Sequence, residues 1–283
     1  MKHSLLILTC IVALKAFSQS FDSNSFSDGY NTIQYRICDT AKSTESPRMV
    51  IYLHGGSATG DDNVANLNSL LETNIFNHIS RQSDRYIVFV PQCPTGRIWS
   101  EKAAHPMSET LKSAMDYIAD TYEIATNHIH ITGGSAGGTG SWRMLSDYPG
   151  FFASAIIAAG NPSGLNYDNI IKTPVYCVIS KSDNVIKFNS VFPVISEMKK
   201  MEGADITLKI LETETHAETC KTAYTDYALR KMLGYSTSDL NTIFQNPDIE
   251  CYYDILGVKH KSPIRGINIV KYTDGHTDKV LVK

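Results

Sequence analysis

The segment Gly133-Gly134-Ser135-Ala136-Gly137 constrains this chain more than any other. It follows the apolar run His128-Ile129-His130-Ile131-Thr132 and precedes a helix-like stretch from Thr139 to Tyr148. A strand that turns straight into a helix at G-x-S-x-G is a nucleophile elbow. The serine sits in a strained turn. Glycines two residues to either side are required because a Cβ there would collide with the neighbouring strand and helix. The turn exposes the hydroxyl at the C-terminal edge of a sheet and aims the next residue's N–H at the same spot.

The rest of the sequence supplies the sheet and the helices. Asn31 to Cys38 alternates, with Ile33, Tyr35 and Ile37 on one face, as a half-buried edge strand does. Met49–Leu53, Tyr86–Val90, Phe151–Ala159, Val175–Ile179 and Ile206–Leu211 are apolar runs that stop at turn residues. Such runs suit a parallel sheet covered on both faces. Helical spacing of apolar residues marks Val64–Ile79, Glu109–Tyr122, Asn189–Met201 and Cys220–Leu233. Strands alternating with helices predict a doubly wound, mostly parallel α/β sheet. The short stretch between Gly160 and Lys172 leaves no room for a large cap domain.

The chain of 283 residues, 42% hydrophobic, is long enough for one large domain with a small appendage. A net charge of −3 with no basic stripe argues against nucleic acid or an anionic membrane as the main partner. The N-terminus pairs Lys2 with an apolar stretch from Leu5 to Leu14 and small residues near Ser20. This is the pattern of a secretory signal peptide over residues 1–20, too short to span a bilayer. It predicts a protein that is secreted, periplasmic or on the cell surface, without membrane insertion.

Removing the leader leaves Cys38, Cys93, Cys177, Cys220 and Cys251, with no C-x-x-C spacing that would suggest a zinc knuckle or redox motif. Export would allow one or two disulfides among them, of unassigned connectivity. Cys177, in an apolar run, reads as core.

From Ser236 the character changes. Asp239–Asp248 is polar and turn-like, after which Cys251–Gly257, Ile267–Val270 and Val280–Val282 read as short strands, with Asp274-Gly275 as a turn. The organisation expected is a leader (1–20), a large α/β domain (21–235) and a small β-rich tail (236–283).

A serine hydroxyl is a weak nucleophile at neutral pH and needs a base, a group that orients the base, and oxyanion donors. After an elbow they come in the order serine, acid, histidine, on loops that follow later strands. Asp183 follows the strand Val175–Ile179, whereas its rivals Asp168 and Asp226 follow no strand end. His216 follows the last strand of the large domain and precedes its last helix. The oxyanion donors are the N–H of Ala136 and one from His54-Gly55-Gly56-Ser57, Gly56 being favoured over Ser57. Ser57, Gln92 and Trp99 are candidate substrate contacts; Trp99 reads equally as an aromatic subsite wall or a core residue. No H-E-x-x-H or clustered His/Asp set appears, so neither metal nor cofactor is expected.

These residues resemble the α/β-hydrolase fold esterases and predicted peptidases described as polyhydroxybutyrate-depolymerase-like or feruloyl-esterase-like. The similarity runs in order through Tyr52–Gly56 with Gly60–Asn63, Pro91–Pro94 with Trp99, Ile131–Gly138 with Trp142, Asp183 with Val185, and His216. It covers about residues 31–234. Two departures stand out: Ser180-Lys181 where the family has His-Gly before its acid, and Ala136 where Met is common.

The tail, from Tyr252-Tyr253-Asp254-Ile255-Leu256-Gly257 to Val280-Leu281-Val282-Lys283, is similar to the C-terminal sorting domains of Bacteroidetes proteins exported by the type IX system. That implies export machinery as a partner. The resemblance implies a serine hydrolase acting on carboxylic esters, small or polysaccharide-linked. A serine peptidase and an inactive binding protein on the same scaffold are the alternatives.

Overall fold

The computed structural model describes residues 20–41, 43, 46–233, 249–272 and 277–282. The leader lies outside them apart from Ser20, as do the boundary at 235/236, the polar stretch before residue 249 and the Asp274-Gly275 turn.

Eight strands form the larger sheet: β1 (Asp22–Ser27), β2 (Thr32–Asp39), β3 (Arg48–Leu53), β4 (Tyr86–Gln92), β5 (Ile129–Gly134), β6 (Ser154–Ala158), β7 (Val175–Ser180) and β8 (Ile206–Leu211). Their order is β1-β2-β4-β3-β5-β6-β7-β8. β1 and β2 are antiparallel to their neighbours, and the rest run parallel.

Eight helices cover it: α1 (Ala65–Leu71), α2 (Ile75–Ser80), α3 (Met107–Thr121), α4 (Ala136–Asp147), α5 (Tyr167–Ile170), α6 (Phe188–Lys200), α7 (His216–Thr222) and α8 (Asp226–Met232). Alternate residues of each strand feed opposite cores, as the period of two requires. Met49, Ile51, Leu53, Ile87 and Phe89 enter one core with Leu111, Met115, Trp142 and Met198 from α3, α4 and α6. Val50, Tyr52, Tyr86, Val88 and Val90 enter the other with Leu70, Ile75 and Leu229 from α1, α2 and α8. The predicted doubly wound sheet is present, and only the four residues of α5 stand as helix between β6 and β7, so there is no large cap.

A second, wholly antiparallel sheet of β9 (Ile249–Asp254), β10 (Lys259–His260), β11 (Gly266–Tyr272) and β12 (Thr277–Val282) follows in the order β10-β9-β11-β12. Tyr252, Val270 and Tyr272 form its buried cluster. Tyr272 reaches Tyr227 of α8, with ring centroids 6.1 Å apart.

Three expectations are corrected. The single helix expected over Val64–Ile79 is two. The Thr73 hydroxyl donates to Leu70 O at 2.7 Å and accepts the Ile75 N–H at 3.3 Å, ending α1 and leading into α2. The helix expected over Cys220–Leu233 divides as well, with Thr225 capping α8 through the Ala228 N–H. All five described cysteines are free thiols, four of them buried, so none forms a disulfide.

Candidate active site

The elbow is held by close backbone approach. A Cβ on Gly137 would lie 1.8 Å from Leu53 O, and one on Gly133 2.6 Å from the Gly137 backbone, so neither position admits a side chain. Between them Ser135 adopts φ 57° and ψ −119°, a conformation L-residues rarely take. Two bonds pin it: Ser135 N–H to Ala158 O at 3.0 Å, and Thr139 N–H to Ser135 O at 2.9 Å. Ala136 is the first residue of α4, so its N–H has no partner within the helix and lies at the positive end of the helix dipole.

The loops that follow β7 and β8, two and three strands along the sheet from β5, converge on Ser135. Asp183 lies in the turn after β7, its side chain 1% exposed. Its Oδ1 accepts the N–H groups of Val185 and Ile186, both at 2.8 Å, and its Oδ2 lies 2.8 Å from His216 Nδ1. His216 Nε2 lies 2.7 Å from Ser135 Oγ. A carboxylate that already accepts two N–H bonds requires a donor at Nδ1, which leaves Nε2 free to accept the serine proton.

His216 opens α7 rather than preceding it. Thr215 caps that helix in a reciprocal box with Glu218, and Thr215-x-x-Glu218 is the sequence signal that marks this start. The departure at Ser180-Lys181 has a local role. Ser180 Oγ donates to Glu214 O at 2.6 Å, and Lys181 N–H donates to Leu211 O at 2.9 Å. The acid's loop is thereby tied to the loop that carries the histidine. Sequence reading also missed Cys220, one turn after His216, which packs against Gly134: a Cβ there would lie 3.1 Å from Cys220 Cβ. Burial, with the Asp183 charge adding to it, pushes the Cys220 thiol up to about 12, so it does not compete as a nucleophile.

The loop His54–Ser57 stands beside the elbow, with the Cβ direction of Gly55 3.6 Å from Ser135 Cβ. Gly56 and Ser57 are exposed at this rim. His54 is fully buried. Its Nε2 accepts the Cys93 N–H at 2.9 Å, and its Nδ1–H therefore donates to Gly55 O at 2.7 Å. Burial lowers it to about 4, so it is a neutral brace.

Two expected substrate contacts are corrected. Trp99 is 1% exposed, donates to His54 O at 3.1 Å, and packs so closely on Gly140 that a Cβ there would lie 2.4 Å from its own. Gln92 is 0% exposed. It donates to Ala58 O and Asp62 and accepts the Asn63 N–H, holding the 58–63 loop. Both support the 54–63 segment from below, and neither is open to solvent.

The rival acids are elsewhere. Asp226 is buried against His78 and Arg81, and Asp168 is exposed on α5. Among the described residues, no three His, Cys, Asp or Glu side chains are grouped to hold a metal ion.

A mostly parallel sheet with a serine elbow at its centre, no large cap, and acid and histidine on later loops defines an α/β-hydrolase fold protein. Residues 93–237, just over half of the chain, match the family model described as the dienelactone hydrolase family. The chain belongs to the dienelactone hydrolase family.

It is similar to a thermostable esterase at 21% identity and a TM-score of 0.67, over 76% of this chain and 62% of that one. This chain thus spans about three fifths of that esterase. A mutant of the feruloyl esterase module from Clostridium thermocellum, complexed with sinapinate, matches at 13% identity and 0.59, over 76% and 88%. A putative dipeptidyl aminopeptidase IV from Bacteroides ovatus matches at 11% and 0.54, over 77% and 35%. At these identities the likeness is one of fold. No curated protein matches the chain.

Proposed function

We propose that this protein is a secreted serine hydrolase that cleaves carboxylic esters through an acyl-enzyme. The observation that carries the reading is the unbroken hydrogen-bonded line Ser135–His216–Asp183, at 2.7 and 2.8 Å. Ser135 Oγ attacks the ester carbonyl as His216 Nε2 takes its proton. Asp183 fixes the tautomer and balances the imidazolium. The oxyanion that forms is met by the N–H of Ala136 and by that of Gly56, with Ser57 the other candidate on the same loop. His216 then returns the proton to the departing alcohol, and water repeats the sequence on the acyl group. The absence of a large cap between β6 and β7 suits a bulky substrate, such as an acyl or feruloyl ester carried on polysaccharide. Export rests on the composition of residues 1–20, and the tail is read as a sorting domain on its sequence alone.

The test compares the native enzyme with Ser135→Ala on a p-nitrophenyl ester series beside a panel of short peptides. Ester turnover that falls by about 10⁴-fold or more in the variant, together with fluorophosphonate labelling of Ser135 in the native enzyme, supports the reading. Unchanged turnover removes Ser135 from the mechanism. Peptides cleaved in place of esters assign the site to a peptidase, the reading favoured by the fold shared with the dipeptidyl aminopeptidase.

A further inference from the structure

The rim of the sheet carries a second feature that the triad does not use. Because β2 runs antiparallel to β4, the turn before β2 lies at the same edge as the C-terminal ends of β3, β4 and β5. In that turn Tyr30 is 71% exposed, yet its ring lies flat on His105, with centroids 3.6 Å apart and planes within 10°. His105 is itself exposed. One face of Tyr30 is covered by the stack and the other is open to water.

The support beneath this stack is extensive for a surface turn. Asp28 Oδ1 accepts the N–H of Tyr30 at 2.8 Å and of Asn31 at 2.7 Å, and Oδ2 accepts the Thr110 hydroxyl at 2.6 Å. Asn31 Nδ2 donates to His105 O at 3.1 Å and to Thr110 Oγ1 at 2.9 Å. Arg97 donates to His105 O at 2.8 Å and to Asn31 Oδ1, and is held in turn by Glu101. Both stacking residues are thereby anchored through their backbones to the same half-buried polar network. A platform ordered before its ligand arrives avoids the entropy of ordering it on binding.

The loop from Arg97 to Trp99 connects this platform to the elbow. Arg97 touches Asn31 and His105, Trp99 touches His54, and Ile98 between them is 57% exposed. Three strand spacings separate β2 from β5, about 15 Å along the sheet edge. A small ester seated at Ser135 does not reach Tyr30; an extended chain does.

Resting on the ester-hydrolase reading above, we propose that Tyr30 and His105 form a carbohydrate-stacking subsite that grips the backbone of a polysaccharide while an ester borne on it reaches Ser135. The open ring face is electron-rich and suits the C–H face of a pyranose, which carries weakly positive hydrogens. Arg97 and Glu101 beneath it are paired with each other, and the Asp28 carboxylate, bonded to neutral donors, adds a negative charge. The platform therefore offers no free cation to an anionic ligand and suits a neutral one.

Binding is tested in the full chain carrying Ser135→Ala, by retardation in gels containing soluble arabinoxylan, with a tyrosine- and proline-rich peptide as competitor. Retardation that Tyr30→Ala abolishes and Tyr30→Trp retains supports the subsite. No retardation, retardation indifferent to Tyr30, or displacement by the peptide overturns it. In the native-serine enzyme, Tyr30→Ala lowers kcat/KM on a feruloylated xylan oligosaccharide at least tenfold more than on p-nitrophenyl acetate, with the loss carried by KM. An equal loss on both substrates marks a structural role and also overturns it. Failure of the ester-hydrolase reading shows separately, as no turnover of p-nitrophenyl acetate by the native enzyme.

Discussion

The two sheets of this chain solve burial differently. The eight-stranded sheet loses both faces to cores built from seven of its strands and from the helices, and its central strands β4 and β5 are buried along their whole length. Among the described residues, the four-stranded sheet gathers a buried cluster of only Tyr252, Val270 and Tyr272, and the sheet with its loops leaves Ile255, Leu256, Val258, Ile264 and Ile267 exposed. Only the first can hold a residue in a costly backbone conformation, because the strain of about 1–3 kcal/mol at Ser135 must be offset by surroundings that leave no alternative. Every side chain of the candidate triad belongs to that sheet's loops. The difference between the sheets is therefore energetic as well as topological, and it can be attacked from both sides.

The largest effect belongs to the histidine. His216→Ala should lower kcat on p-nitrophenyl esters by roughly 10⁴–10⁶-fold, since its Nε2, 2.7 Å from Ser135 Oγ, is the group placed to accept the serine proton. A fall below tenfold would show that the site does not use it as base. Next comes Gly137→Ala. Its Cβ would sit 1.8 Å from Leu53 O, where neither backbone yields, so the loss should be about 4 kcal/mol or more and the variant should be insoluble or unfolded. An ordinary urea transition for this variant would mean that the elbow is looser than its geometry implies.

Sequence reading reached the parts of the large sheet where chemistry and pattern coincide. The elbow glycines, the apolar strands and the chain order of Ser135, Asp183 and His216 all mark their positions by residue type. It missed what depends on neighbours distant in sequence. β1, Asp22–Ser27, is almost all polar and exposed, and only pairing with β2 makes it a strand. Gln92 and Trp99 have the residue types of a cleft wall, and their burial against Ala58, Asp62 and His54 follows from loop packing that no local pattern encodes. The break at Glu72–Asn74 interrupts a helical apolar period that continues on both sides, so periodicity alone reads one helix.

Acid should weaken the large sheet through histidines it buries neutral. Burial lowers His54 to about 4 and His130 to about 3, the latter with help from the Arg48 charge. Both groups gain protons in the unfolded chain near 6.5 while the fold keeps them neutral, so the unfolded state binds more protons below that pH and stability falls as pH falls. Each contributes at most about 1.4 kcal/mol per pH unit in that window. Urea transitions at pH 7 and pH 5 should therefore differ by roughly 4 kcal/mol, and His130→Gln should flatten the slope. Equal midpoints would mean that these rings are hydrated.

A smaller change separates strain from function. Ser135→Gly and Ser135→Ala both remove the hydroxyl, but only alanine keeps a Cβ at φ 57°. The glycine variant should be more stable by about 1 kcal/mol after allowing for its freer unfolded chain, as read from urea midpoints. An alanine variant of equal or greater stability would place the strain elsewhere.

The smallest effect should come from the small sheet. A chain ending at residue 233 loses the four tail strands and the Tyr227–Tyr272 contact. It keeps every hydrogen bond of the triad, of the His54 brace and of Gln92, none of which involves a residue beyond 216. The family match likewise ends at residue 237, before β9 begins. Ester turnover by this truncated chain should stay within about twofold of the full protein. Its melting temperature should fall by a few degrees at most, because Tyr227 gains exposure while both large cores remain intact. Loss of activity well beyond twofold, at a temperature where the truncated chain is still folded, would show that the tail sheet shapes the site from a distance. The two sheets would then have to be treated as one energetic unit.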